Sequence, residues 1–396
     1  MVATMIGIRQ VASGAATAAV IAALFCTGDA AAETRFRVKN GLRLENRDQE
    51  WRLQLNGRLH MDTASIDDTG TPLEDGSEIR RARLSLAARY RSDFRFRSDY
   101  EFSDIGTGWK NLWVQYRGVD QWRFTLGHQV VPFGMEQQQS SNRLDLMERS
   151  LLQALTPNFQ LGLGAQYRAD RWFARFGVYD RSLDDIEARR ASGPAFAGRF
   201  AAAPWRGERW HMHVGTSVEI RDLDDDELRF ATRPESFVAS RRLINTRAID
   251  GAESLRSFGV EATVSYGRCR AGGEYMLSDT ARRDLSDLRF DGFYVTAACV
   301  IRGEDYVFRD DRGRFDPIKA NDDFGTVELA IRYSSLDLND QDIAGGQQKN
   351  VTVGVTWVPV EAARFLLNYV DYDASPNRNG DVDEGRIVQA RIQFTF

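Results

Sequence analysis

From Trp51 onward the chain alternates apolar and polar residues in short segments, and a period of two restricts it to β architecture. Trp51, Leu53, Leu55, Gly57, Leu59 and Met61 form one set, and Arg52, Gln54, Asn56, Arg58, His60 and Asp62 the other. Phe94, Phe96, Tyr100 and Phe102 alternate in the same way with Arg95, Arg97, Asp99 and Glu101. Each segment therefore has an oily face and a wet one. Beyond residue 33 no apolar run reaches the roughly 18 residues a membrane helix needs. A soluble sandwich shares this alternation, so the pattern alone does not assign the oily face to lipid.

The number and spacing of the segments choose between the two. Strands are expected near residues 50–62, 77–90, 93–104, 109–117, 121–129, 160–168, 171–180 and 195–203. Eight more are expected near 208–220, 254–266, 269–279, 289–302, 324–336, 349–358, 362–373 and 385–396. Short turns such as Arg91-Ser92-Asp93, Ala169-Asp170-Arg171 and Pro359-Val360-Glu361 alternate with long polar connections such as 181–194 and 221–253. Short connections on one rim and long ones on the other are the outer-membrane pattern. The fold class is therefore all-β: a 16-stranded antiparallel transmembrane barrel, a size that leaves an aqueous lumen. Val388, Ala390, Ile392, Phe394 and Phe396 alternate with polar residues to the last position, an ending that resembles the signal read by barrel-assembly machinery. The last strand must pair with the first, because unpaired backbone groups cannot be left in hydrocarbon.

The N-terminus reads as an address. Arg9, the apolar stretch from Val11 to Phe25 and Ala30-Ala31-Ala32 before Glu33 make residues 1–32 a secretory signal peptide and 33–396 the barrel. Phe25 is bulky where a lipoprotein signal would place a small residue before Cys26. The mature chain then keeps Cys269 and Cys299, which fall symmetrically about residue 284 on consecutive strands. Antiparallel pairing sets them opposite each other near the periplasmic rim, where either a disulfide or two buried thiols is possible.

Several motifs carry a family resemblance. They are Asn56-Gly57-Arg58-Leu59, Arg80-Arg81-Ala82-Arg83-Leu84, Pro132-Phe133-Gly134-Met135-Glu136, Ser140-Ser141-Asn142 and Met147-Glu148-Arg149-Ser150. Gly273-Glu274-Tyr275, Gly292-Phe293-Tyr294, Leu336-Asp337-Leu338-Asn339 and Asn368-Tyr369-Val370 follow in order. Through them the chain resembles the phosphate-selective porin O and P family. The resemblance implies a homotrimer in the outer membrane of a Gram-negative bacterium, in contact with lipid and lipopolysaccharide. It also implies that the third long loop, residues 130–159, folds inward to narrow the pore. Arg58, Arg80 and Arg81 then help form a central anion site. Members specialised for phosphate carry a lysine where this chain has Gln137, so general anion preference carries over better than phosphate selectivity.

Charge parity supports the same reading. Of 52 basic residues only Lys39, Lys110, Lys319 and Lys349 are lysines. On the polar parity of the first eight strands lie Arg52, Arg58, Arg81, Arg83, Arg89, Arg95, Arg97, Arg117, Arg123, Arg168, Arg175 and Arg199, against Asp62, Asp99 and Glu101. Lipid would drive arginine inward anyway, at about 2–4 kcal/mol per midplane residue, so the informative feature is the excess over acids. Arg80 shares the parity of Ala82 and Leu84, so a lumen role for it requires a bulge or bend; snorkelling to the rim is the alternative. Candidate substrate-binding residues are Arg58, Arg80, Arg81, Arg83, Arg95, Arg97 and Ser140. The net charge of −5 is no obstacle to passing anions, because many acids fall in connections: Asp184, Asp185, Asp224, Asp225, Asp226, Asp310 and Asp311.

The alternatives are a general-diffusion or nutrient-specific porin and a barrel hydrolase. Only His60, His128, His211 and His213 exist, none in a nucleophile motif, so the reading is a channel, not an enzyme. His211 and His213 share one strand face without an evident third metal ligand, and acids at 222–227 and 381–384 read as solvated loops. No cofactor, metal site or nucleic-acid partner is expected.

Overall fold

The computed structural model describes residues 35–38, 41–104, 106–183, 191–223, 228–310 and 312–396. The signal-peptide region 1–32 and the loop acids Asp184, Asp185, Asp224, Asp225, Asp226 and Asp311 lie outside the described residues. Sixteen strands run up and down in chain order: β1 (Trp51–Thr69), β2 (Gly76–Tyr90), β3 (Phe94–Glu101), β4 (Gly108–Tyr116), β5 (Trp122–Val130) and β6 (Phe159–Arg168). Next come β7 (Trp172–Tyr179), β8 (Ala195–Arg206), β9 (Trp210–Asp222), β10 (Ala252–Tyr266) and β11 (Cys269–Arg282). The barrel finishes with β12 (Leu288–Arg302), β13 (Thr326–Asp340), β14 (Ile343–Val360), β15 (Ala363–Ala374) and β16 (Asp383–Thr395). Every one of them overlaps a segment expected from the alternation.

Closure is antiparallel, from Glu384 opposite Thr69 to Thr395 opposite Arg58. At the lower end Gly57 and Phe396 exchange backbone hydrogen bonds, both 3.1 Å. A Cβ on Gly57 would sit 2.1 Å from the Phe396 ring, so the terminal aromatic needs a glycine beside it. Below the seam two short strands, Arg35–Val38 and Leu42–Glu45, continue the sheet against β1, with Leu42 opposite Leu55 and Glu45 opposite Arg52. These strands were not anticipated, because four residues are too few for periodicity to register.

The apolar parity faces outward: Leu84, Phe94, Leu126, Val178, Phe258, Ile331 and Val388 are all exposed. Cys269 and Cys299 stand directly opposite on β11 and β12 and form a disulfide. One register shift bears on the candidate site. His60 pairs with Arg81 but Met61 pairs with Ile79, so Arg80 is the extra residue of a β-bulge on β2. Through this bulge Arg80 and Arg81 both point into the barrel, with Arg80 only 5% exposed.

Inside, three connections fill one side of the lumen. Residues 131–158, here L3, cross from the β5–β6 wall to donors on β13, β15 and β16. Leu151, Leu152 and Leu155 of L3 join Leu228, Phe230, Ile244 and Ile249 of the 223–251 connection in a buried apolar cluster, with Met276, Phe290, Leu336 and Val370 from the wall. Burying such side chains stabilises by about 1.5–3 kcal/mol each, which holds both connections inside. The third filler departs from the short-turn pattern. Residues 303–325 lie on the short-turn rim, yet they form a hairpin, Phe308–Arg309 against Arg314–Phe315, with Phe315 3% exposed. Arg314 of this hairpin donates to the Gln138 carbonyl of L3 at 3.2 Å. Open lumen is left chiefly along β1–β7.

Two outcomes check this arrangement. Alkylation of unreduced, denatured mature protein is expected to leave Cys269 and Cys299 unlabelled; two free thiols would contradict the cross-strand bridge. Replacing Gly57 with leucine is expected to force Phe396 from the seam and cost about 1–3 kcal/mol, read as loss of the compact electrophoretic form at lower temperature.

Candidate functional site

The site is the lumen where L3 faces β1–β4, and the wall positions it with guanidinium groups. Arg364 of β15 donates to the carbonyls of Asn142 and, at 3.1 Å, Leu144. Arg391 of β16 reaches the Met147 carbonyl at 2.5 Å, and Arg332 of β13 reaches the Glu148 carbonyl at 3.0 Å. Arg270 of β11 pairs with Asp145, and Arg175 of β7 holds the Val130 carbonyl at 3.0 Å. A planar fork suits this task, since one guanidinium can bind two or three backbone or side-chain oxygens at once.

Glu148 is the centre of the tightest network. Arg80 grips it with two bonds, 2.8 and 3.0 Å, and Arg391 adds 2.5 Å while also bridging Asp62 on β1 at 2.6–2.7 Å. The network ties L3 to both strands of the seam. Burial alone would raise the Glu148 carboxyl, but Arg80 and Arg391 overturn that and hold it well below the usual carboxylate range. Phe237 of the 223–251 connection caps Arg80, its ring centre 3.3 Å from the guanidinium carbon.

Around this frame the lumen has a volume of about 1730 Å³ and is lined by seventeen arginine or lysine residues against six acids. Four of those acids are already committed: Asp99 to Arg97, Glu101 to Arg83, Glu148 to Arg80 and Glu235 to Arg332. Several lining cations have no acid partner among the described residues. Arg58 donates to Ser141 Oγ at 3.0 Å. Arg149 is spent on the carbonyls of Glu136 and Gln139 at 3.2 and 2.7 Å. Arg81 and Arg233 each keep a buried Nε without a partner. The surplus positive charge thus concentrates at Arg58, Arg81, Arg143, Arg149 and Arg233, with Arg83 and Arg97 within electrostatic reach of Arg58.

The seven candidate residues divide accordingly. Arg58, Arg80, Arg81, Arg83 and Arg97 meet in this lumen, and Ser140 lines it, although it is Ser141 that contacts Arg58. Arg95 stands apart at the short turn after β2, donating to the carbonyls of Arg91, Ser92 and Phe94 at 3.0–3.4 Å. Arg143, Arg149 and Arg233 were missed because they lie on connections, where strand parity carries no signal. Asp310 is not a solvated loop acid: it is folded in with the 303–325 hairpin, 2.6 Å from His211 and 2.7 Å from Arg206. His213 bonds Glu261 at 2.6 Å, and no cluster of three metal-ligating side chains occurs among the described residues.

A closed β-barrel with a wet, charged lumen narrowed by an internal loop defines a porin. The family model for phosphate-selective porin O and P matches residues 53–396, and the chain belongs to that family. An uncharacterised protein of Caulobacter vibrioides is 28% identical over 371 residues, covering 86% of this chain and 73% of that protein. Porin O of Pseudomonas aeruginosa is 25% identical over 412 residues, covering 92% and 93%. Among solved structures, the fold is shared with an anion-selective porin from Comamonas acidovorans, at TM-score 0.57 and 13% identity over 88% of this chain and 100% of that one. Salmonella typhi OmpF in complex with daunomycin gives 0.55 and 10% identity over 91% and 100%.

Removing the charge of Glu148 leaves Arg80 buried without its carboxylate partner and Arg391 with Asp62 alone. Glu148→Gln is expected to cost about 3–5 kcal/mol, read as an earlier heat-modifiability transition and noisier open-channel current. A carboxyl depressed in the folded state contributes stability above its unfolded value of about 4.3 and loses it only on acidification through the lower folded value. Wild-type stability should therefore show no loss from this group between pH 8 and pH 5.

Proposed function

We propose that this outer-membrane porin is a passive, anion-preferring channel whose constriction is the cation cluster at Arg58, Arg81, Arg143, Arg149 and Arg233. The observation that carries the reading is the imbalance of lining charge, seventeen cations to six acids with four acids already neutralised. In a narrow lumen with low-dielectric walls, such an excess raises local anion concentration and opposes cations. Guanidinium groups add two-point hydrogen bonding to oxyanions, which favours phosphate, sulfate and carboxylates over chloride at equal charge. Gln137 occupies its L3 position as a neutral amide, donating to the Pro157 carbonyl at 3.2 Å, so inorganic phosphate is one substrate among several.

The same reading places the chain as a homotrimer in contact with lipopolysaccharide, delivered after signal-peptide removal by machinery that reads Phe396. The family and the fold point to a channel, and the roles of Arg58 and Arg81 are electrostatic ones.

Reversal potential across planar bilayers under a potassium chloride gradient tests the reading, and the wild type should prefer chloride. Arg58→Glu with Arg81→Glu exchanges two lumenal positive charges for negative ones and should lower the anion-to-cation permeability ratio by about tenfold or invert it. Arg283→Glu, at an exposed rim position, is the control and should change the ratio little. A wild-type preference for potassium would replace this reading with general diffusion.

A further inference from the structure

The motifs Pro132-Phe133-Gly134-Met135-Glu136 and Gly273-Glu274-Tyr275 meet each other, and they touch the cation cluster through the Glu136 carbonyl, which Arg149 holds at 3.2 Å. Glu274 of β11 is 4% exposed, and its carboxylate accepts the backbone N–H groups of Met135 and Glu136, both at 2.7 Å. Tyr294 Oη on β12 donates to the same carboxylate at 2.7 Å. Beside it, the Gly134 N–H donates to Ser217 Oγ on β9 at 3.0 Å. Gly134 has φ 67°, and a Cβ there would meet Met276 Cε at 2.7 Å and Glu274 Oε2 at 2.9 Å. Glycine is needed both for the backbone conformation and for the close approach.

Glu136 carries this anchor onward. Its own carboxylate accepts the Ser150 N–H at 3.0 Å and Ser150 Oγ at 2.8 Å, and Arg332 reaches it at 3.1 Å. Thus Glu274 holds the outgoing limb of L3 and, through Glu136, the returning limb. Ser141 and Asn142, which meet Arg58 and His60 at 3.0 Å each, lie between those limbs.

We propose that Glu274 is a positioning residue for permeation: it docks both limbs of L3 on the wall opposite Arg58 and thereby sets the width of the constriction. The inference rests on the channel reading above, and it concerns pore dimension instead of charge preference. A carboxylate with two acceptor oxygens is required, because three N–H or O–H donors converge on it. Glutamine keeps the shape but turns one acceptor into a donor facing other donors. One anchoring bond must then break and L3 gains freedom toward the open lumen.

The test uses the full-length protein in planar bilayers, with neutral polyethylene glycols of graded size as pore probes. Folding is verified by heat-modifiability. Glu274→Gln is expected to raise single-channel conductance by about 1.5- to 2-fold, increase open-channel noise and admit larger glycols. A purely structural role would lower the thermal transition yet leave the conductance and exclusion size of folded channels unchanged, and that result would overturn the proposal. If Glu274→Gln does not assemble, Tyr294→Phe removes one donor and keeps the carboxylate, and Gly134→Ala disturbs the same joint from the loop side. Unaltered exclusion in both would equally overturn it. Glycol exclusion is blind to ion sign, so wild-type channels lacking anion preference would defeat the functional reading while leaving this one standing.

Discussion

Everything in this structure depends on closing the sheet on itself, because no unpaired N–H or C=O can face hydrocarbon. Pairing of β1 with β16, from Thr69 opposite Glu384 to Arg58 opposite Thr395, removes the two free edges. Closure over sixteen strands then creates a second requirement, since a lumen of that size passes solutes with little discrimination. The chain meets it by turning connections inward and fixing them to the same seam. Arg391 on the last strand binds Asp62 on the first and Glu148 of L3 together, so one guanidinium closes the wall and anchors the constriction.

Arginine accordingly has two roles that composition alone does not separate. Arg175, Arg270, Arg332, Arg364 and Arg391 are structural donors to oxygens of L3, although Arg270 and Arg364 each keep a buried Nε unpartnered. Arg58, Arg81 and Arg233 form no ion pair at salt-bridge distance with an acid among the described residues, and Arg81 and Arg233 retain unpartnered buried Nε atoms. Buried donors of that kind call for a partner, and in the proposed function a passing oxyanion supplies it. In the proposed function, selectivity is assigned to the cations left over after the loop is built, a smaller set than the polar parity of the strands suggests.

How much of this could be read from the sequence follows from where periodicity operates. Strand alternation located all sixteen barrel strands, and the parity conflict at Arg80 left a bulge or bend against snorkelling to the rim, a choice that the shifted register between His60 and Met61 decides for the bulge. Pairing of Cys269 with Cys299 followed from simple antiparallel counting. Extents were less legible: β1 continues to Thr69 and β14 begins at Ile343, because strands that rise above the membrane turn polar on both faces. The 303–325 hairpin was misread as a solvated connection, since burial of Phe315 and Asp310 depends on walls far away in sequence. For the same reason Arg143, Arg149 and Arg233 escaped notice, and Arg95, correct in parity, proved to sit at a turn.

The central claim is that anions collect at the surplus guanidinium groups between L3 and the β1–β4 wall. Anomalous diffraction from crystals of the full barrel soaked in bromide observes this directly. The account predicts bromide density within hydrogen-bonding reach of Arg58 and Arg81, beside Ser141. Bromide absent from the lumen, with rubidium occupying that position in a parallel soak, would contradict it.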